Sequence, residues 1–149
     1  MEKIKELPVE KVMRKKFNRV KISDKISKII KLFLRSDITV LPVFDGKKFA
    51  GEIHELDLLK LVVDPKEIPE EEIVVLGFGM DMGYFAKTAG DIVRRHNVSV
   101  SPNTKIKEAS YTMLKENVKA IPVIKNKILV GILTERDILN RVIKEATKK

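Results

Sequence analysis

One segment of this chain occurs twice. Residues 8–62 laid over residues 88–142, a shift of 80 without a gap, give thirteen identities in 55 positions. They fall on residues that chance rarely aligns together: Pro42/Pro122, Gly51/Gly131, Glu55/Glu135 and Asp57/Asp137, along with Val20/Val100, Ile26/Ile106 and Val43/Val123. Other positions keep their character, among them Leu41/Ile121, Phe44/Ile124, Phe49/Leu129 and Leu58/Ile138. Such a repeat constrains the fold strongly, because both copies have to be the same supersecondary unit.

Each copy predicts the order β-α-β-β-α. A short extended piece (Val20–Ile22; Val98–Val100) is followed by polar helix starters, Ser23-Asp24 and Asn103-Thr104. Ile26, Ile29, Ile30 and Phe33 then share one helical face, as do Ile106, Ala109 and Met113. A β-branched strand follows (Thr39–Phe44; Lys119–Ile124). The turn after it reads Asp45-Gly46-Lys47 in copy one and Lys125-Asn126-Lys127 in copy two; Asp-Gly is a strong hairpin signal. A second strand (Phe49–Ile53; Ile128–Leu133) leads into a helix starting near Glu55 or Glu135. The expected class is α/β of the α+β kind, with the two repeats packed about a pseudo-two-fold axis. The expected organisation is motif one at 8–62, a linker at 63–87 and motif two at 88–142. Within the linker, the glycine-rich Gly77–Gly83 lacks the Lys and Ser/Thr of a phosphate-cradling loop.

Composition removes several function classes. No cysteine is present, so thiolate catalysis, disulfides and cysteine-built zinc sites are excluded. Two histidines, His54 and His96, are few for a histidine-rich metal site. No stretch approaches the roughly 20 apolar residues of a bilayer span, and the N-terminus lacks a signal-peptide core. A cytoplasmic protein without membrane contact is expected. The Lys/Glu-rich composition resembles that of proteins from hot-living organisms. The net charge is +9, with eleven Lys/Arg against four Asp/Glu in residues 1–31. A basic face suits nucleic acid, an anionic surface or a phosphate ligand, or is simply solvated.

The doubled β-α-β-β-α unit, Leu41-Pro42-Val43 with Ile121-Pro122-Val123, and the Gly131–Leu139 string GILTERDIL resemble the CBS domain family. The lead-ins Pro8–Met13 and Thr88–Val93 also resemble the segment that precedes each CBS motif. The resemblance implies a tandem regulatory module, not an enzyme, that dimerises and signals to a separate effector protein. It requires no cofactor; AMP, ADP, ATP or S-adenosylmethionine is the implied regulatory ligand, bound in the cleft between motifs. The resemblance implies that Thr134 meets a phosphate, Asp137 the ribose hydroxyls and Ala120-Ile121-Pro122 the adenine, with Gly131 ending the strand before them. The chemistry agrees: a helix N-terminus favours anions, and a carboxylate accepts two hydroxyls.

Copy one offers the counterparts Val40, Leu41, Pro42 and Asp57, but His54 stands where Thr is expected. One good site, in copy two, and a weaker one in copy one are therefore expected. Arg14 and Lys16, and equivalently Arg94 and Arg95, are candidates for neutralising phosphates. Alternatives stay open at this point. Thr-x-x-Asp is also an ordinary capping box, strand prolines also mark edge strands, and basic clusters also serve as plain surface. A nucleic-acid-binding protein, or a dimerisation module with dead sites, are the competing functions.

Overall fold

The computed structural model describes residues 1–35, 38–73 and 86–148; the Gly77–Gly83 stretch lies outside the described residues. In chain order the elements are α1 (Glu2–Glu6), a 3-10 turn (Val9–Lys11), β1 (Val20–Lys21), α2 (Ile26–Phe33), β2 (Val40–Asp45), β3 (Lys48–His54) and a 3-10 helix (Glu55–Leu61). A 3-10 turn (Pro65–Glu67), α3 (Glu70–Ile73), α4 (Ala89–Ile92), β4 (Arg94–Arg95), α5 (Ile106–Glu116), β5 (Ala120–Lys125), β6 (Ile128–Thr134) and α6 (Glu135–Ala146) follow. Helix and strand are mixed, and both expected hairpins form.

The compact units cut across the sequence copies. One unit is Asn18–His96; the other combines Met1–Phe17 with Asn97–Lys149. Each copy's lead-in is thus built into the unit that holds the other copy's hairpin.

In the unit Asn18–His96 the sheet order is β1-β2-β3-β4, with β1 and β2 parallel and the remaining pairs antiparallel. Pro42 lies one residue ahead of the first β1 pair, Val20 with Val43, so its missing N–H falls where β1 has not yet begun. Pro42 is therefore on an interior strand, not an edge. The core gathers Val20, Ile29, Phe33, Leu41, Val43, Ile53 and Ile92. On α2 the buried face is Ile26, Ile29, Leu32 and Phe33, whereas Ile30, expected on that face, is 37% exposed. One residue past Ile29 is a turn of about 100°, which carries Ile30 off the stripe.

The other unit repeats the pattern with shorter pieces. β5 and β6 pair antiparallel, with the same bulge position as the first hairpin. The expected strand at 98–100 is reduced to one parallel bridge, Val100 with Val123, and Arg14 bridges Ile132 antiparallel. These two pieces correspond to β1 and β4. Ile4, Val9, Ile106, Met113, Ile121, Val123 and Leu133 form the core.

The helix starters act one step earlier than expected. The N-caps of α2 and α5 are Lys25 and Lys105. Asp24 instead accepts the Lys21 N–H at 2.8 Å and Thr104 the Ser101 N–H at 3.1 Å, closing the preceding turns. The helix expected after Glu55 is a 3-10 helix, while its counterpart α6 is a regular α-helix.

Candidate functional site

In the second copy the site grows out of the junction between β6 and α6. Thr134 is the last residue of β6 and the N-cap of α6. The Asp137 N–H donates to Thr134 Oγ1 at 3.2 Å. The Asp137 Oδ2 accepts the Thr134 N–H at 3.1 Å and the Thr134 hydroxyl at 2.8 Å. Thr134 and Asp137 therefore form a complete capping box. The hydroxyl expected to face a phosphate points its proton at Asp137.

The other carboxylate oxygen is occupied as well. Arg14 Nε donates to Asp137 Oδ1 at 2.5 Å. Arg14 reaches it because its backbone exchanges two hydrogen bonds with Ile132: its N–H donates at 2.8 Å and its carbonyl accepts at 2.9 Å. Arg141 fastens the same lead-in by donating to the Lys11 carbonyl at 2.8 Å. Gly131 is explained by this approach. A Cβ there would stand 2.7 Å from Met13 Sδ and 2.9 Å from the Arg14 carbonyl oxygen. Its recurrence matches this packing of the lead-in.

The hairpin brings the remaining residues to the same end. Ala120 lies opposite Thr134 across the β5–β6 ladder, and the Glu135 N–H donates to the Lys119 carbonyl at 2.8 Å. Along β5 the side chain of Ile121 enters the core, and Ala120 and Pro122 alternate with it. Leu41 is likewise a core residue, with Val40 and Pro42 alternating. Lys16 and Arg95 are exposed.

The first copy repeats the pairing in tighter form. Arg94, 80 residues after Arg14, lies on Asp57, 80 residues before Asp137. Arg94 Nε donates to both Asp57 oxygens at 3.0 and 2.9 Å, and its Nη2 lies 2.8 Å from Oδ1. Lys60 Nζ adds a contact at 3.3 Å. The Asp57 side chain is 0% exposed, against 9% for Asp137. Burial raises the Asp57 pKa, but the Arg94 and His54 hydrogen bonds and the Lys60 charge outweigh it and hold the carboxyl below its ordinary range. Asp57 also accepts the His54 N–H at 2.8 Å, so half of the capping interaction survives without a Thr. Gly51, at φ +155°, has the Arg94 carbonyl where a Cβ would go.

His54 is buried. Its Nε2 is hydrogen-bonded to Glu52, and the other Glu52 oxygen lies 2.8 Å from His96 Nε2. Glu52 is 1% exposed and His54 5%. The equivalent residues in the other unit are Ile132, Thr134 and Lys16. Sequence reasoning did not single out Glu52; its signal was a carboxylate in one copy where the other has Ile in a strand core. Among the described residues, no group of three or more His, Cys, Asp or Glu is arranged to hold a metal ion, and no helix is long and apolar enough to cross a membrane.

The CBS domain model matches this chain twice, at residues 9–64 and 89–144. The chain belongs to the CBS domain family. As a tandem CBS pair it is 29% identical over 134 residues to the uncharacterized protein MJ1426 of Methanocaldococcus jannaschii, covering 77% of this chain and 79% of that protein. It is 30% identical over 89 residues to hypoxic response protein 1 of Mycobacterium tuberculosis, covering 57% of this chain and 62% of that protein. Among solved structures, a CBS domain-containing protein of Thermotoga maritima matches with a TM-score of 0.65 and 26% identity, over 96% of this chain and 99% of that one. CBSX2, solved in complex with AMP, shares the fold at a TM-score of 0.67 and 22% identity, over 93% and 98%.

Proposed function

We propose that this CBS pair is a non-catalytic regulatory module. It binds an adenosine-type ligand at the Thr134–Asp137 junction and passes its occupancy to a separate effector protein. The observation that carries the reading is the asymmetry of the two junctions. Asp137 keeps 9% of its side chain exposed and one oxygen held by a half-exposed Arg14, so a ribose can reach it. Asp57 is sealed under Arg94 and Lys60, and His54 is tied to Glu52. The family supports the ligand class. CBSX2 was solved with AMP, and the CBS pair of MJ0100 with 5'-methylthioadenosine and S-adenosyl-L-methionine. The module acts as a homodimer through exposed apolar residues: Leu56 and Leu59 beside Asp57, and Leu139 and Ile143 on α6.

The test is thermal unfolding with AMP, ADP, ATP or S-adenosylmethionine. A ligand that binds only the folded state raises the transition by mass action, with about 2.7 kcal/mol of stabilisation at 100 times Kd. A rise with at least one of the four is expected. No rise at millimolar ligand contradicts the proposal. The net charge of +9 favours a second reading, nucleic-acid binding. That reading predicts an affinity that collapses with added salt, whereas the adenosine reading predicts retained small-molecule binding.

A further inference from the structure

We infer that the pocket between α5 and α6 receives the apolar ridge of α2 from a second copy of this chain, so that the dimer pairs unlike units. The inference rests on the proposed homodimer and goes beyond it by fixing which face meets which.

The pocket follows from two differences between the copies. It has a volume of about 270 Å³, and its lining includes Met113, Leu114, Val118, Ile138 and Leu139 together with Ser110. At the shift of 80, Ser110 stands where the other copy has Ile30, and Met113 stands where it has Phe33. Serine ends at its hydroxyl, and methionine is slimmer than a phenyl ring. Helices α5 and α6 therefore border a hollow lined mostly by apolar side chains.

The other unit carries the matching relief. Leu34 and Leu59 are the repeat equivalents of Leu114 and Leu139, two residues that line the pocket. Leu34, at the end of α2, is 79% exposed, and Ile30 and Leu59 are exposed with it. Where one unit has a hollow, the other thus has bulk that is left in water.

Charge separates the possible pairings. The unit made of Met1–Phe17 and Asn97–Lys149 holds 17 Lys/Arg against 8 Asp/Glu, whereas Asn18–His96 holds 13 of each. The whole net charge of +9 therefore belongs to the pocket-bearing unit. Pocket against pocket sets two cationic units together and fills neither hollow. Ridge against ridge carries no net charge but stacks bulk on bulk and leaves both pockets unfilled. Ridge against pocket sets a neutral unit on a cationic one and fills the hollow. The exposed acids Asp64, Glu67 and Glu70 follow closely on the exposed Val62 of the ridge-bearing unit, and exposed Lys115 and Lys144 lie on α5 and α6. A two-fold axis makes the contact twice, because each copy carries one ridge and one pocket.

Cross-linking of the full chain reads the pairing, and the sequence has no cysteine of its own to interfere. Leu34→Cys and Leu114→Cys are treated with a short bismaleimide, each alone and as a mixture after subunit exchange. A covalent dimer is expected in the mixture, with one chain of each kind, and not in either variant alone. Cross-linking of one variant alone as complete as that of the mixture shows like pairing and overturns the inference. So does a mixture that sediments as a dimer without cross-linking. The second arm is Ser110→Ile, which copies the ridge-bearing residue into the pocket. Sedimentation should show the dimer dissociation constant raised by about tenfold or more, the scale of one leucine kept from burial; circular dichroism confirms folding. A dimer that this variant leaves unchanged or tightens also overturns the inference. Wild type that sediments as a monomer at high micromolar concentration removes the homodimer reading itself, and leaves the pocket to an effector protein or a small apolar ligand.

Discussion

The two copies place the same ion pair at the same point of the fold and surround it differently. Asp137 is partly covered and its partner Arg14 is half-exposed. Asp57 with Arg94 is enclosed and reinforced by Lys60, in the unit that also holds the buried Glu52 and His54 and the partly buried His96. A shared scaffold thus supports two kinds of pair. A pair whose arginine is half-exposed and whose carboxylate is only partly covered can open toward solvent more easily. An enclosed pair costs much to break, because its removal strands a buried charge. The first suits a binding site and the second a structural clamp.

The largest effect that would break this comparison is expected at the twin glycines. Gly51→Ala combines a φ of +155° with a clash against the Arg94 backbone, and should destabilise by about 3 kcal/mol or more in urea unfolding. Gly131→Ala has no positive φ to strain but meets Met13 Sδ at 2.7 Å and the Arg14 carbonyl oxygen at 2.9 Å, and should cost less, about 2 kcal/mol. Equal costs would show that the two lead-ins are held alike.

Next come the arginines themselves. Arg94→Ala leaves Asp57 buried with Lys60 as its remaining cation, and should cost about 2–3 kcal/mol. Arg14→Ala removes a half-exposed partner and leaves Asp137 with its Thr134 hydrogen bonds, so it should cost less, about 1–2 kcal/mol. The same unfolding curves decide, and a reversed order would contradict the clamp.

His54→Thr sharpens the comparison further. Replacing His54 alone to restore the Thr of the second copy leaves Glu52 buried with one partner fewer, so about 1–3 kcal/mol of stability should be lost. Glu52→Ile with His54→Thr installs both residues of the second copy and should recover part of that loss. If the double variant is less stable than the single one, Glu52 has a role beyond holding the two imidazoles.

The smallest effect is in pH. The Asp57 carboxyl is held below its ordinary value of 3.8 in the folded chain. Its contribution is therefore fully present above that value and lost as pH falls toward the lowered one. Asp57→Asn should flatten the acid limb of the stability curve below about pH 4 and leave its slope near neutrality unchanged. An unaltered acid limb would mean that Asp57 is no better stabilised folded than unfolded.

Much of this architecture was legible in the repeat, because hairpins and amphipathic helices are written in local spacing. Identities at Pro42, Gly51 and Asp57 marked the junctions. The exchange of lead-ins was not legible: Arg14 meets Asp137 across 123 residues of chain, and no local pattern reports such a contact. A trace existed, since Arg14 and Arg94 are themselves identical at the shift of 80. The two residues that sequence reasoning gave separate roles, one for ribose and one for phosphate, hold each other. At Gly131 a glycine required by a passing backbone and one required by a ligand look the same in sequence. Glu52 is not legible in the sequence because a single carboxylate in a strand usually faces solvent, whereas here it is buried.

The central claim is that the half-exposed pair, not the enclosed one, is the ligand site. Calorimetric titration of Asp137→Ala and Asp57→Ala with AMP tests it most directly, with circular dichroism to confirm folding. Wild type should bind about one AMP per chain at this site. Asp137→Ala should weaken that binding by about tenfold or more, the loss of a charge-assisted hydrogen bond, while Asp57→Ala should leave the affinity within about threefold of wild type, well under one decade. Binding that survives Asp137→Ala but disappears with Asp57→Ala would place the site in the enclosed copy and contradict the account.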